Sequence, residues 1–255
     1  MMRFFVPPEV VEQSPVHLSG PLAHRLGRVL RLQAGDRVLL LDNTGWAYET
    51  ELTAFDHDAV EGQVLRRTLA SGEPRAKITL YQALLKGDGF EEVLAKGTQA
   101  GVVEFVPLLC ERCILGSLMD VEEHRRERWE RIVRSAAEQS RRGRLPRIAP
   151  VTMWPLACQR ALRTDIRLLP WEEATGLSLR QALEGVTQEG EAERRSRPFS
   201  ISLFIGPEGG LTPEEVQIAR SNHIQVVTLG PRIFKAETAG LVATAAILYA
   251  LGDLE

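Results

Sequence analysis

An α/β protein built in two unlike parts is what this sequence predicts, and three observations carry that reading. Short apolar runs separated by tight turns fill residues 1 to about 70. A break at Ser71, Gly72, Glu73 and Pro74 follows. From Lys77 onward, strand-like runs alternate with helix-period segments. That alternation implies a mainly parallel sheet covered on both faces.

In the first part, residues 21–32 read as a short helix bearing His24, Arg25, Arg28 and Arg31. Residues 38–41 are an unbroken apolar run. Asp42, Asn43, Thr44 and Gly45 make a turn cluster. Residues 46–52 alternate bulky and polar side chains as a half-buried strand does, and residues 60–65 form a third candidate. Short strands with tight turns predict a small barrel.

In the second part, residues 78–85, 102–108, 166–169, 200–206 and 225–229 are predicted strands. Residues 90–100 read as a helix. Trp129, Ile132, Val133, Ala136 and Ala137 share one face of another helix, and Gly143 and Pro146 stand where it should stop. Residues 187–198, rich in Glu and Arg without period, read as a solvated loop. Residues 236–251 form a final helix that is apolar around most of its circumference, so more than one of its faces should be covered.

Length and composition bound the function. The 255 residues suit one large domain or two modest ones. A net charge of -3 makes any nucleic-acid footprint local. Three cysteines, Cys110, Cys113 and Cys158, suit a reducing compartment. Cys110 and Cys113 form a C-x-x-C without a second half-site, which argues against metal and leaves incidental cysteines or a redox pair. No signal peptide is visible at the start. The most apolar stretch, residues 239–251, falls short of the roughly 20 residues that cross a bilayer. The cytoplasm, with no membrane partner, is the expected location.

The informative segments lie where strands end, which is where open α/β sheets bind ligands. Ile205, Gly206, Pro207, Glu208, Gly209 and Gly210 follow one strand and precede a capping box, with Thr212 at N-cap, Pro213 at N1 and Glu215 at N3. The segment is neither a Walker loop nor G-x-G-x-x-G. A structural turn and a ligand loop both stay open. Residues 229–238 follow another strand and carry Arg232, Lys235 and Glu237. An ion pair at a helix start and a functional cation site both stay open there. Between Arg131 and Arg147 lie six arginines and one glutamate. Arg141, Arg142 and Arg144 exceed what helix capping needs and suit phosphate.

These residues resemble the RsmE family of 16S ribosomal RNA uridine N3-methyltransferases, in the SPOUT superfamily. His24 with Val29, Leu30 and Arg31, then Gly35 and Asp36, resembles the family's opening motif. Lys86, Lys96, Thr98, Gly101 and Val102 resemble its middle stretch. Ala137, Glu138, Gln139, Ser140, Arg142, Arg144 and Pro146 resemble its A-E-Q-S-x-R-x-R-x-P segment. Residues 206–210 and 229–239 resemble its two cofactor loops.

The resemblance implies a PUA-like RNA-binding barrel over residues 1–73 and a SPOUT methyltransferase domain with a deep C-terminal trefoil knot over residues 76–255. It implies that S-adenosyl-L-methionine is held by Leu169, Ile205, Gly206, Pro207, Glu208, Gly209, Leu229, Gly230, Ile233 and Thr238. Arg232 and Lys235 are the expected catalytic cations. His24, Arg28, Arg31, Glu138, Gln139, Arg142 and Arg144 are the expected RNA contacts. The implied partners are 16S rRNA or the assembled small ribosomal subunit and a second copy of the chain, with no metal. Lys235 replaces the family's second arginine, keeping the charge without the bidentate fork. Gln99 replaces a family glutamate, so no catalytic carboxylate is expected there.

Overall fold

A computed structural model describes residues 1–113, 118–187 and 200–254. The solvated loop read at residues 187–198 lies outside the described residues except for Thr187, which closes a helix. The chain divides into two compact units: Met1–Glu73 with Ala137–Leu145, and Pro74–Ala136 with Pro146–Glu255.

The first unit is a five-stranded sheet. Its strands are β1 (Met2–Phe5), β2 (Val16–Ser19), β3 (Arg37–Leu41), β4 (Trp46–Phe55) and β5 (Ala59–Leu69). Their order is β1-β3-β4-β5-β2, with β1 parallel to β3 and the other pairs antiparallel. Phe4, Leu18, Leu26, Val38, Leu40, Leu52 and Val60 fill its core. β1 and β2, with four residues each, are too short to show a period in sequence.

The helix expected over residues 21–32 is shorter and changes pitch. A helix α1 (Pro8–Val11) precedes it, and α2 (Gly20–His24) passes into a π-type turn, Arg25–Val29. Leu30 N–H reaches back five residues to Arg25 O at 2.9 Å. The wide turn keeps Leu26 in the core and leaves His24, Arg28 and Arg31 exposed.

The second unit is a seven-stranded sheet in the order β12-β10-β11-β6-β7-β8, with β9 also on β7. The strands are β6 (Lys77–Ala83), β7 (Glu104–Leu109), β8 (Arg147–Ile148), β9 (Thr152–Met153), β10 (Ile166–Pro170), β11 (Ser200–Ile205) and β12 (Gln225–Val227). Every pair is parallel. Two clusters cover the two faces. One holds Ile78, Leu80, Phe90, Trp129, Leu168, Leu203 and Ile247. The other holds Tyr81, Val106, Trp154, Leu169, Phe204 and Val216. Central strands buried on both sides explain why β6 and β11 read as nearly continuous apolar runs.

The helices are α3 (Gly89–Ala100), α4 (Leu118–Gln139), α5 (Trp154–Ala161), α6 (Leu179–Thr187), α7 (Pro213–Ser221) and α8 (Ala236–Ala250). The predicted capping box starts α7. Thr212 Oγ1 accepts from Glu215 N–H at 3.2 Å, and Glu215 returns a carboxylate oxygen to Thr212 N–H at 3.0 Å. α8 packs within the unit against α3 and against the sheet at β11 and β6. Gly240, Ala243, Thr244, Ile247 and Leu248 are buried within the unit, while Ala246 and Tyr249 stand exposed.

Candidate active site

The carboxyl ends of four parallel strands open onto a cleft of ≈ 1410 Å³. Lys86 and Asp88 follow β6, Pro170, Trp171 and Glu172 end and follow β10, residues 205–211 follow β11, and residues 228–237 follow β12. The volume exceeds the roughly 300–1,000 Å³ of most small-molecule sites and leaves room for a second reactant.

The loop after β11 is fixed from several sides. Glu208 Oε1 accepts from Lys86 N–H at 2.8 Å. Gly209 O accepts from Arg112 Nη1 at 3.0 Å. Glu215, buried at the foot of α7, accepts from Glu111 N–H at 2.8 Å. A Cβ on Gly206 would stand 2.9 Å from Leu211 Cγ. A side chain at position 206 would therefore collide with the turn's own packing.

The loop after β12 is more open. Gly230 has φ +102° and empty space where a Cβ would stand, and its N–H donates to Thr228 Oγ1 at 3.1 Å. Ile233 is 84% exposed, an unusual state for a large apolar side chain at a cleft. Among the described residues, the backbone N–H groups of Glu208, Gly209, Ile233 and Phe234 meet no acceptor. Donors left free at two facing loops fit a polar cofactor held by backbone.

Of the residues expected to hold the cofactor, Ile205, Gly206, Pro207, Glu208, Gly209, Leu229, Gly230 and Ile233 line this cleft. Leu169 and Thr238 are not among its lining residues. Leu169 is wholly buried in the core, and Thr238 sits in the first turn of α8. Arg232 and Lys235 both line the cleft. Lys235 Nζ lies 3.9 Å from Glu237 Oε1, a loose exposed pair. Arg232 has no ion-pair partner among the described residues. Lys86, Trp171 and Glu172 also line the cleft. Lys86 belongs to the middle stretch of the resemblance, whereas Trp171 and Glu172 belong to no motif and are marked only by their place at the end of β10.

The expected RNA contacts divide. His24, Arg28, Arg31, Gln139 and Arg144 are exposed on the first unit. Arg144 gives Nη2 to Thr44 O at 2.6 Å. Two of them are engaged inside the unit instead. Arg142 is 3% exposed and grips Glu73 with two bonds, Nε–Oε1 at 2.9 Å and Nη2–Oε2 at 2.8 Å. The Glu138 side chain is 6% exposed and accepts from Arg25 Nη1 at 2.6 Å and from Phe5 N–H at 3.3 Å. Both side chains hold the unit together, because a buried charge needs a partner.

The comparisons with known proteins agree with this geometry. A family model described as an RNA methyltransferase domain matches residues 72–248, and one described as an RNA methyltransferase PUA domain matches residues 18–65. The ribosomal RNA small subunit methyltransferase E of Synechocystis sp. is 35% identical over 245 residues, covering 96% of this chain and 76% of that protein. That of Bacillus subtilis is 31% identical over 254 residues, covering 98% and 96%. The crystal structure of a ribosomal RNA small subunit methyltransferase E from Neisseria gonorrhoeae bound to S-adenosyl methionine matches with a TM-score of 0.80 at 30% identity, covering 98% and 97%.

A PUA-type sheet and a SPOUT-type parallel sheet with loops gathered at its strand ends define an S-adenosylmethionine-dependent RNA methyltransferase. The chain belongs to the ribosomal RNA small subunit methyltransferase E family.

Proposed function

We propose that the enzyme methylates N3 of a uridine in the decoding region of 16S ribosomal RNA, acting as a cytoplasmic homodimer on the small ribosomal subunit or its rRNA. The observation that carries this reading is Arg232, an unpaired cation on the loop after β12, beside backbone donors suited to the cofactor.

When bound, S-adenosylmethionine supplies a methyl carbon made electrophilic by its sulfonium. The N–H groups of Glu208, Gly209, Ile233 and Phe234 would hold and orient it. Glu208 keeps the loop after β11 in place through Lys86 N–H. Arg232, which lines the cleft, would stabilise negative charge on a uracil oxygen as N3 loses its proton. Lys235 adds a weaker cation, its charge partly spent on Glu237. The N3 proton passes to water, which the open cleft admits. Holding N3 in line with the methyl group is what the cleft would contribute most. On the first unit, His24, Arg28, Arg31, Gln139 and Arg144 form the RNA-facing set.

Two observations support the implied architecture. α8 follows the edge strand β12 yet packs against α3, β11 and β6 near the middle of the sheet. Such a return suits a trefoil knot. The exposed Ala246 and Tyr249 on α8 suit a second copy of the chain. No helix among the described residues is long and apolar enough to cross a membrane.

The test is transfer of labelled methyl from S-adenosylmethionine to naked 16S rRNA and to assembled small subunits, with the product mapped by mass. Label at uridine N3 in the decoding region is expected. Label on another base or at another uridine atom would refute the assignment, and no label on either substrate would favour a binding module.

A further inference from the structure

We propose that Cys110 and Cys113 are a reversible disulfide site through which peroxide weakens cofactor binding; this rests on the cofactor cleft described above. The pair closes a tight turn after β7, with Cys113 N–H donating to Cys110 O at 3.1 Å. Cys113 Sγ accepts from Cys110 N–H at 3.3 Å, so the turn folds the second sulfur back onto the first residue. A turn of this kind brings its end Cα atoms within about 7 Å, close to the 4.4–6.8 Å window of a disulfide. Both cysteines are free.

The two sulfurs are unequal. Cys110 is buried, and its thiol is pushed up by the bond to Cys113 and by burial. Cys113 is only partly buried. The Cys110 thiol donating to it lowers its value, against burial and the facing carboxylates of Glu215 and Glu208. Cys113 is therefore the sulfur that meets oxidant first. Its thiolate attacks one oxygen of hydrogen peroxide, giving the sulfenic acid and hydroxide. Cys110 sulfur then attacks the Cys113 sulfur, the S–O bond breaks, and the Cys110 proton leaves with the hydroxide as water. Two thiols and one peroxide give one disulfide and two waters.

The turn is wired to the cofactor loop. Of its two middle residues, Glu111 donates its N–H to Glu215, and Arg112 donates Nη1 to Gly209 O at 3.0 Å. Cys113 Sγ also lies 3.6 Å from Leu84 O, at the end of β6. A disulfide removes the thiol proton from that contact and re-sets the turn that aims Arg112. The loop from Gly206 to Gly210 then loses a support it has only in the reduced state.

The full-length chain is reduced, treated with hydrogen peroxide, and followed by intact mass, peptide mapping and calorimetry with S-adenosylmethionine. A Cys110–Cys113 bridge is expected, with cofactor affinity weaker by about tenfold, the scale of one lost hydrogen bond, and regained with dithiothreitol. Cys158, buried away from solvent, should keep its thiol. Cys110→Ser should bind normally when reduced and keep most of its affinity under peroxide. No bridge, a bridge without change in affinity, or an equal loss in Cys110→Ser would each overturn the proposal. If the reduced chain binds no cofactor, the cleft assignment fails instead, and mass mapping still decides the bridge.

Discussion

Arg142 and Glu73 form a two-pronged ion pair in which the arginine is almost wholly buried and the carboxylate is 19% exposed. Glu73 Oε1 also accepts from the N–H groups of Gly143 at 3.0 Å and Arg144 at 3.1 Å. One carboxylate thus sets the turn that follows α4. Arg142→Ala leaves that partly buried carboxylate without its cation, at a cost of up to about 3 kcal/mol. Urea denaturation should show the loss. An unchanged midpoint would mean the pair contributes nothing.

Arg144 beside it should behave oppositely. Its side chain is exposed, with one nitrogen on Thr44 O and the rest of the fork open. Arg144→Ala should keep the fold and lower the log–log salt slope of RNA binding by about one. Arg28→Ala and Arg31→Ala should do the same. A slope that does not move would remove these arginines from the RNA face.

Arg232→Ala should lower kcat by about a hundredfold, the scale of removing one transition-state charge partner. Arg232→Lys should recover part of it. Cofactor affinity should hold, since backbone groups carry it. Lys235→Ala should cost less, because Glu237 already shares its charge. Equal losses in both variants would contradict that ranking.

The two faces of α8 separate folding from assembly. Ala243 is 0% exposed inside the subunit, so Ala243→Glu should unfold the chain and reports nothing about a dimer. Tyr249 is 73% exposed. Tyr249→Glu should fold normally, sediment as a monomer and lose methyl transfer. A fully active monomer would refute a site that depends on the second copy.

Asp42 gives the first unit an acid-sensitive joint. Burial pushes its carboxyl up, but bonds from Thr44 N–H and Oγ1, Trp46 N–H and Tyr48 Oη outweigh burial and hold it below the usual carboxylate range. A depressed folded value means the stabilisation is whole above the unfolded value of about 3.9 and is lost as pH falls through the folded one. Wild type should therefore lose stability below about pH 4 more steeply than Asp42→Asn. Parallel pH curves for the two would show that Asp42 plays no part.

Residue order alone was enough to show the change from short strands to alternating strands and helices near Pro74, the capping box at Thr212 and Glu215, and the two strand-end loops. These are local facts, written in periods, caps and turn residues that neighbours in the chain enforce. The partners of Arg142 and Glu138 are another matter. Glu73 is 69 residues from Arg142, and Phe5 is 133 residues from Glu138. No local signal separates a buried arginine from an exposed one in the same cluster. The same holds for Cys110 and Cys113, whose spacing says nothing of Gly209 and Glu215 across the strand ends. α8 was apolar nearly all round, yet which face the sheet would cover was fixed only by where β6 and β11 lie. Charge pairing and face choice depend on distances between elements far apart in the chain, and only the folded structure sets those distances.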